Sequence, residues 1–137
     1  MKICALEIDI KRLIITVYEK NNDGDYINHT GKFTSITLND DLNHHEILNF
    51  TSTLHTHFDS LNLDRIVILR RNSKGQYSSS PISFKIEGLI QTYSAIEIEF
   101  VPPQTLTTYY KKNEFPLKEK HKYQIPSLQL AYYILNK

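Results

Sequence analysis

Apolar and polar residues alternate from Lys2 to Asp9, with Ile3, Ala5, Glu7 and Asp9 on one side and Cys4, Leu6 and Ile8 on the other. That two-residue period predicts a β-strand from which Glu7 points out of a mostly apolar face. Arg12 to Glu19, RLIITVYE, predicts a second strand, joined to the first by a tight connection around Ile10 and Lys11. Asn21-Asn22-Asp23-Gly24 is the strongest turn signal in the chain, because Asp-Gly supplies the positive backbone angles a hairpin needs. With Tyr26 to Leu38 as a third strand, the chain opens as an antiparallel meander.

The period then changes. Asn39-Asp40-Asp41 has the composition of a helix cap, and Ile47, Phe50, Leu54 and Phe58 recur at helical spacing, predicting a helix of about four turns. Arg65 to Leu69 is an apolar run of strand length, followed by a polar loop from Arg70 to Ser80. Ser80 as N-cap and Pro81 as first helical residue start the next helix, since the hydroxyl satisfies one orphan amide and proline has none to leave unsatisfied. Ile82, Ile86, Leu89, Ile90 and Tyr93 give that helix its apolar face. Ile96 to Val101 alternates as a fifth strand and stops at Pro102-Pro103, where the ladder donor is lost. Gln104 to Lys112 predicts a short helix, the segment around Pro116 a loop, and Pro126 the start of a last helix bearing Leu128, Ala131, Tyr132 and Leu135. The order is βββ-α-β-α-β-α, which is the order of the ribonuclease H-like fold: a mixed α/β unit with a five-stranded sheet, three antiparallel strands first and then strands alternating with helices.

Composition narrows the picture. The 137 residues make one domain, residues 1–137, with 40% hydrophobic and 23% charged residues and no low-complexity run. Net charge is +1, so any attraction to nucleic acid must come from local clustering. Residues 61–91 supply one such cluster, with five basic side chains against two acidic. The single cysteine, Cys4, excludes an internal disulfide and a cysteine-rich metal site. Glu7, Asp9, Lys11 and Arg12 interrupt the N-terminus before a signal-peptide core forms, and no later stretch is long enough for a bilayer. A soluble cytoplasmic protein without membrane contact is therefore expected.

Candidate chemistry concentrates in the loop after the fourth strand. Arg70, Arg71 and Lys74 bring cations, Ser78, Ser79 and Ser80 bring hydroxyls, and the helix that follows turns free amides and a positive dipole end toward them. Phosphate is the ligand such a loop suits. Tyr109-Tyr110-Lys111-Lys112, with Lys118, Lys120 and Lys122 beyond, forms an aromatic and basic tract suited to single-stranded nucleic acid or a junction, diluted by Glu114 and Glu119. Metal binding by histidine is not supported: His44 and His55 share a helix face but stand about 16 Å apart, and no His-x-x-x-His pair occurs. Ser78-Ser79-Ser80 lacks a nucleophile elbow, and Lys74-Gly75 reverses the P-loop order.

Lys2-Ile3-Cys4-Ala5-Leu6-Glu7, Lys74-Gly75 followed by Phe84-Lys85-x-Glu87 and Gln91, and the late Pro103-x-Thr105 with Lys111-Lys112-Asn113 resemble a small uncharacterised bacterial family. That family is similar to the ribonuclease H-like fold and, more distantly, to RuvC-type Holliday junction resolvases. The resemblance implies a nuclease ancestry in which carboxylates from the first strand, the fourth strand and the last helix hold two divalent metals. Glu7 matches the first-strand position. Arg70 stands at the fourth-strand position, where the family tends to carry an acid, and the last helix contains no Asp or Glu. A guanidinium in that pocket would repel the ions, so unless Asp9, Glu87 or Glu119 substitutes, no metal site, no Mg or Mn cofactor and no catalytic residue beyond a residual Glu7 are expected.

The expectation is thus a degenerate RuvC-like domain that binds DNA or RNA, or acts as a scaffold, through Arg70, Arg71, Lys74, Ser78, Ser79, Ser80, Lys111 and Lys112. Two alternatives stand beside it. One is a protein-interaction module, a homodimer or an inhibitor of a partner, using the surface beside Tyr132 and Tyr133. The other is a metal-dependent nuclease, with Mg or Mn, whose site is rebuilt from Glu7, Asp9 and Glu87.

Overall fold

A computed structural model describes residues 1–70 and 80–137. β1 (Lys2–Asp9) and β2 (Arg12–Lys20) form an antiparallel hairpin in which Asp9 faces Arg12 and Glu7 faces Ile14. Its tight corner depends on Ile10, whose φ of 59 lies in the left-handed region. β1 also pairs in parallel with β5 (Arg65–Leu69), which pairs in parallel with β6 (Ile98–Val101). Parallel neighbours need long crossovers, supplied here by α1 (His44–Ser60) and α2 (Pro81–Gln91). α3 (Pro103–Tyr110) and α4 (Ile125–Asn136) complete the chain, α4 being preceded by a 3-10 turn over Lys122–Gln124.

The third predicted strand is two strands. β3 (Tyr26–Asn28) and β4 (Ser35–Thr37) both pair with β2, so the sheet runs β3-β2-β1-β5-β6 with β4 beside the other end of β2. The break falls at Thr30 and Gly31. Gly31 takes a φ of 63, which a strand cannot accommodate, and the Thr30 hydroxyl accepts from the Val17 amide at 2.9 Å in place of a backbone partner. The first helix likewise starts later than Asn39-Asp40-Asp41 predicts. Asn43 is the N-cap, its side chain accepting from the Glu46 amide at 3.1 Å, while the Glu46 carboxylate accepts from the Asn39 and Asp40 amides. The carboxylate thus ties the segment before the helix back onto its first turn. Ser80 caps α2 as expected, with Pro81 in the first turn.

The period-two alternation of the sheet separates two cores. Cys4, Leu6, Leu13, Ile15, Val17, Ile66 and Ile68 face α1 and α2, against Phe50, Leu54, Phe58, Ile86 and Ile90. Ile3, Ala5, Tyr18, Val67 and Val101 face α3 and α4, against Leu106, Leu128, Leu130, Ala131 and Ile134. Among the described residues, no helix is long and apolar enough to cross a membrane.

Candidate functional site

Glu7 is the residue at which the α4 face of β1 stops being apolar. It follows Ile3 and Ala5 on that face and sits half-buried at the C-terminal end of the strand. Its neighbour on β2 is Ile14. On the other side the ladder pairs Leu6 with Ile68, and one step further puts Leu69 next to Glu7. Burial is the first cause that pushes the Glu7 carboxyl up to about 7, the charge of Asp9 adds to it, and the Arg12 guanidinium opposes it.

Arg12 is held from two sides. Its Nη2 donates to Asp9 Oδ2 at 3.2 Å, and its guanidinium carbon lies 4.5 Å from the centre of the Tyr123 ring. Tyr123 in turn stacks on His121, with centroids 5.2 Å apart and planes 4° apart, and its hydroxyl shares a 2.8 Å hydrogen bond with Thr34. The hairpin corner thereby places a cation next to Glu7 and fixes it there. That guanidinium belongs to Arg12, whereas the sequence reading gave the role to Arg70. The reason is register: Arg70 follows Leu69 with the parity of Ile66 and Ile68, whose side chains enter the opposite core.

Arg70 is exposed just past β5, and its amide still donates to the Val101 carbonyl at 2.8 Å. On the α3 and α4 face lies a groove of about 240 Å³ lined by Leu69, Leu106, Thr107, Tyr110, Pro126 and Gln129, among others. Tyr110 closes its floor by donating to the Gln129 carbonyl at 2.6 Å. Arg70 follows Leu69 and Lys111 follows Tyr110 in the chain, but neither lines the groove, and Arg70 has the parity of the opposite face. Lys111 and Lys112 are both exposed at the end of α3. Ser80 is occupied as a cap: its oxygen accepts from the Ser83 amide and its hydroxyl donates to the Ile10 carbonyl, both at 3.4 Å. Arg71, Lys74, Ser78 and Ser79 lie outside the described residues.

The carboxylates that could have rebuilt a metal site with Glu7 are dispersed, Asp9 excepted. α2 packs on the opposite side of the sheet from Glu7, which puts Glu87 there too. Glu119 lines a separate small cavity with Thr16, Tyr18, Asn28 and Thr30. Two divalent ions do not fit the donors around Glu7, because among the described residues Asp9 is the one other carboxylate acting on it, Asp9 is already paired with Arg12, and Ile14 and Leu69 offer no ligand. Among the described residues no three His, Cys, Asp or Glu gather closely enough to hold an ion, and residues 71–79 contain none of these types. The histidines have structural partners of their own: His29 meets Glu19 at 2.8 Å, His55 meets the Leu89 carbonyl and the Thr92 hydroxyl, and His57 packs on Phe33.

Arg12 and Tyr123 escaped the sequence reading. The signal for Arg12 was present, because a tight corner at Ile10-Lys11 forces Asp9 and Arg12 opposite each other. Nothing local to Tyr123 announces that it reaches across to the hairpin.

A family profile described as "Protein of unknown function (DUF3010)" matches residues 1–134. The chain belongs to that family. No curated protein matches its sequence. Among solved structures, RuvC of Thermus thermophilus superposes with a TM-score of 0.76 at 8% identity, covering 98% of this chain and 95% of the other. The same organism's RuvC in complex with a Holliday junction substrate gives 0.69 at 9% identity over the same shares. The family member thus has the RuvC-like, ribonuclease H-like fold along nearly its whole length. Identity this low carries the fold and leaves the activity to the site.

Proposed function

We propose that this chain is a RuvC-like nucleic-acid-binding protein that does not cleave what it binds, with branched DNA as the first candidate ligand. The observation that carries this reading is the company of Glu7. On a frame whose relative in complex is bound to a Holliday junction, the first-strand acid has Leu69 and Ile14 on the flanking strands and one other acid beside it, Asp9, whose charge Arg12 already pairs. The exposed Arg70, Lys111 and Lys112, with Arg71, Lys74 and the serines 78 to 80, are the residues assigned to phosphate. Arginine can grip phosphate bidentately, lysine adds a mobile charge, and neither reads sequence when it contacts only the backbone.

Titration of a four-way DNA junction, a duplex and an RNA hairpin across a range of salt concentrations tests the binding. Affinity is expected to fall linearly with salt on logarithmic axes, and Arg70→Ala and Lys111→Ala are each expected to flatten the slope by about one. Salt-insensitive affinity, or slopes unchanged in both variants, overturns the assignment. The same substrates incubated with magnesium or manganese are expected to stay intact. Cleavage that disappears in Glu7→Gln would restore the nuclease reading.

A further inference from the structure

Resting on the reading of this chain as a DNA-binding protein, we propose that the outer surface of α3 and α4 is a separate contact, a stacking platform for the unpaired bases of single-stranded DNA. Aromatic rings run across this surface in an unbroken series. Tyr26 meets Tyr132 at 5.5 Å, Tyr132 meets Tyr110 at 6.5 Å, Tyr110 meets Tyr109 at 5.0 Å, and Tyr109 meets Tyr133 edge-on at 5.0 Å. The inner members are fixed by their hydroxyls: Tyr110 donates to the Gln129 carbonyl at 2.6 Å and Tyr26 to the Asn136 side chain at 2.7 Å. The outer two differ in seating: Tyr133 packs partly against the core, whereas Tyr109 is not among the residues packed on it. Tyr109 and Tyr133 are part-exposed and form the wall of a shallow open groove of about 470 Å³ whose other lining residues are Gln104, Thr105 and Thr108.

Charge selects the occupant. The groove lining is neutral, and the cations are at its edges: Lys137 Nζ lies 5.8 Å from the Tyr133 ring centre, and the exposed Lys111 and Lys112 follow directly on Tyr109 and Tyr110. Glu99, the acid that Lys137 acts on, is already engaged by Arg65, and Glu114 acts on Tyr132 farther along the series. Rings preset by their neighbours, with cations at a phosphate's reach and no carboxylate in the lining, match a strand whose bases are free to stack. A duplex buries those base faces and gains only the lysines. The preference is therefore for unpaired over paired DNA.

The test titrates the full-length chain with oligo(dT) and with a blunt duplex of equal length. Tyr109→Ala and Tyr133→Ala are each expected to weaken oligo(dT) binding by about 5- to 100-fold while leaving the duplex unaffected, and Tyr109→Phe and Tyr133→Phe to keep wild-type affinity. Photo-crosslinking of a 5-iododeoxyuridine oligonucleotide to the wild-type chain supplies a readout that needs no variant, with adducts expected on Tyr109 or Tyr133. Unchanged oligo(dT) affinity in both alanine variants overturns the platform, as do adducts confined elsewhere or tighter binding of oligo(U) than of oligo(dT). If oligo(dT), the duplex and a four-way junction all fail to bind, the DNA-binding reading itself falls. If a junction or duplex binds through Arg70 while the tyrosine variants lose nothing, only the platform falls.

Discussion

Glu7 stores a conflict at a single position. Its carboxyl is preferentially protonated in the folded chain, with a pKa of about 7 against an ordinary 4.5, chiefly because burial disfavours the anion. A group whose folded pKa is raised contributes most below its unfolded value, so this contribution is complete below about pH 4.5. It declines as the pH rises and is lost above 7. Glu7→Gln keeps the shape and removes the titration. Allowing for partial solvent screening, the variant is expected to be more stable than wild type by about 1–2 kcal/mol at pH 8 and equal to it at pH 4. Urea unfolding at the two values checks this. A glutamine that destabilises at pH 8 would mean that the carboxylate is held by a partner cation more strongly than burial opposes it.

At the scale of elements, the groove depends on how α4 is seated across β2. Thr16 and Ser127 share a buried 2.7 Å hydrogen bond, and the Ser127 hydroxyl also reaches the Gln124 carbonyl at 3.0 Å, which fixes the first turn of α4 and with it Pro126 and Gln129. Ser127→Ala leaves the Thr16 hydroxyl buried beside a methyl group and is expected to cost about 1–3 kcal/mol. Thr16→Val combined with Ser127→Ala replaces both partners by apolar groups and is expected to recover most of that in urea titration. An additive double variant would show that the two hydroxyls act independently. Contacts of this kind also mark how far the sequence could be read. The strands β1, β2 and β5 and the capped start of α2 were legible because period and cap chemistry are local. The Thr30-Gly31 break was not, since a threonine side chain standing in for a ladder partner looks like any strand threonine. Alternation turned Glu7 out of an apolar strand, and the resemblance to the resolvase fold marked it as the first-strand acid. Its neighbours Leu69 and Arg12 needed a register and a hairpin corner, and reading Arg70 one place too early reversed the face it was assigned to.

On the scale of the whole molecule, the hairpin β1-β2 belongs to both cores, Cys4 and Leu6 facing α1 and α2 while Ile3 and Ala5 face α3 and α4. A sheet buried on both faces cannot lose one helical layer without exposing the strands that carry the other. Damage on either side should therefore be felt throughout. Leu54→Ala in α1 and Ile134→Ala in α4, both at buried positions, are each expected to cost about 2–5 kcal/mol and to leave a single unfolding transition. Hydrogen exchange resolves the prediction by position: amides of Cys4 to Leu6 and Leu13 to Val17 should be the slowest, those of the three-residue strands β3 and β4 among the fastest. Each substitution should then accelerate all the slow amides uniformly, by the factor its own loss of stability sets, although the two sites lie on opposite faces. If Ile134→Ala speeds exchange only in α3 and α4 and spares the hairpin, the helical layer bearing the groove opens on its own, and the two cores are separate cooperative units joined by a sheet.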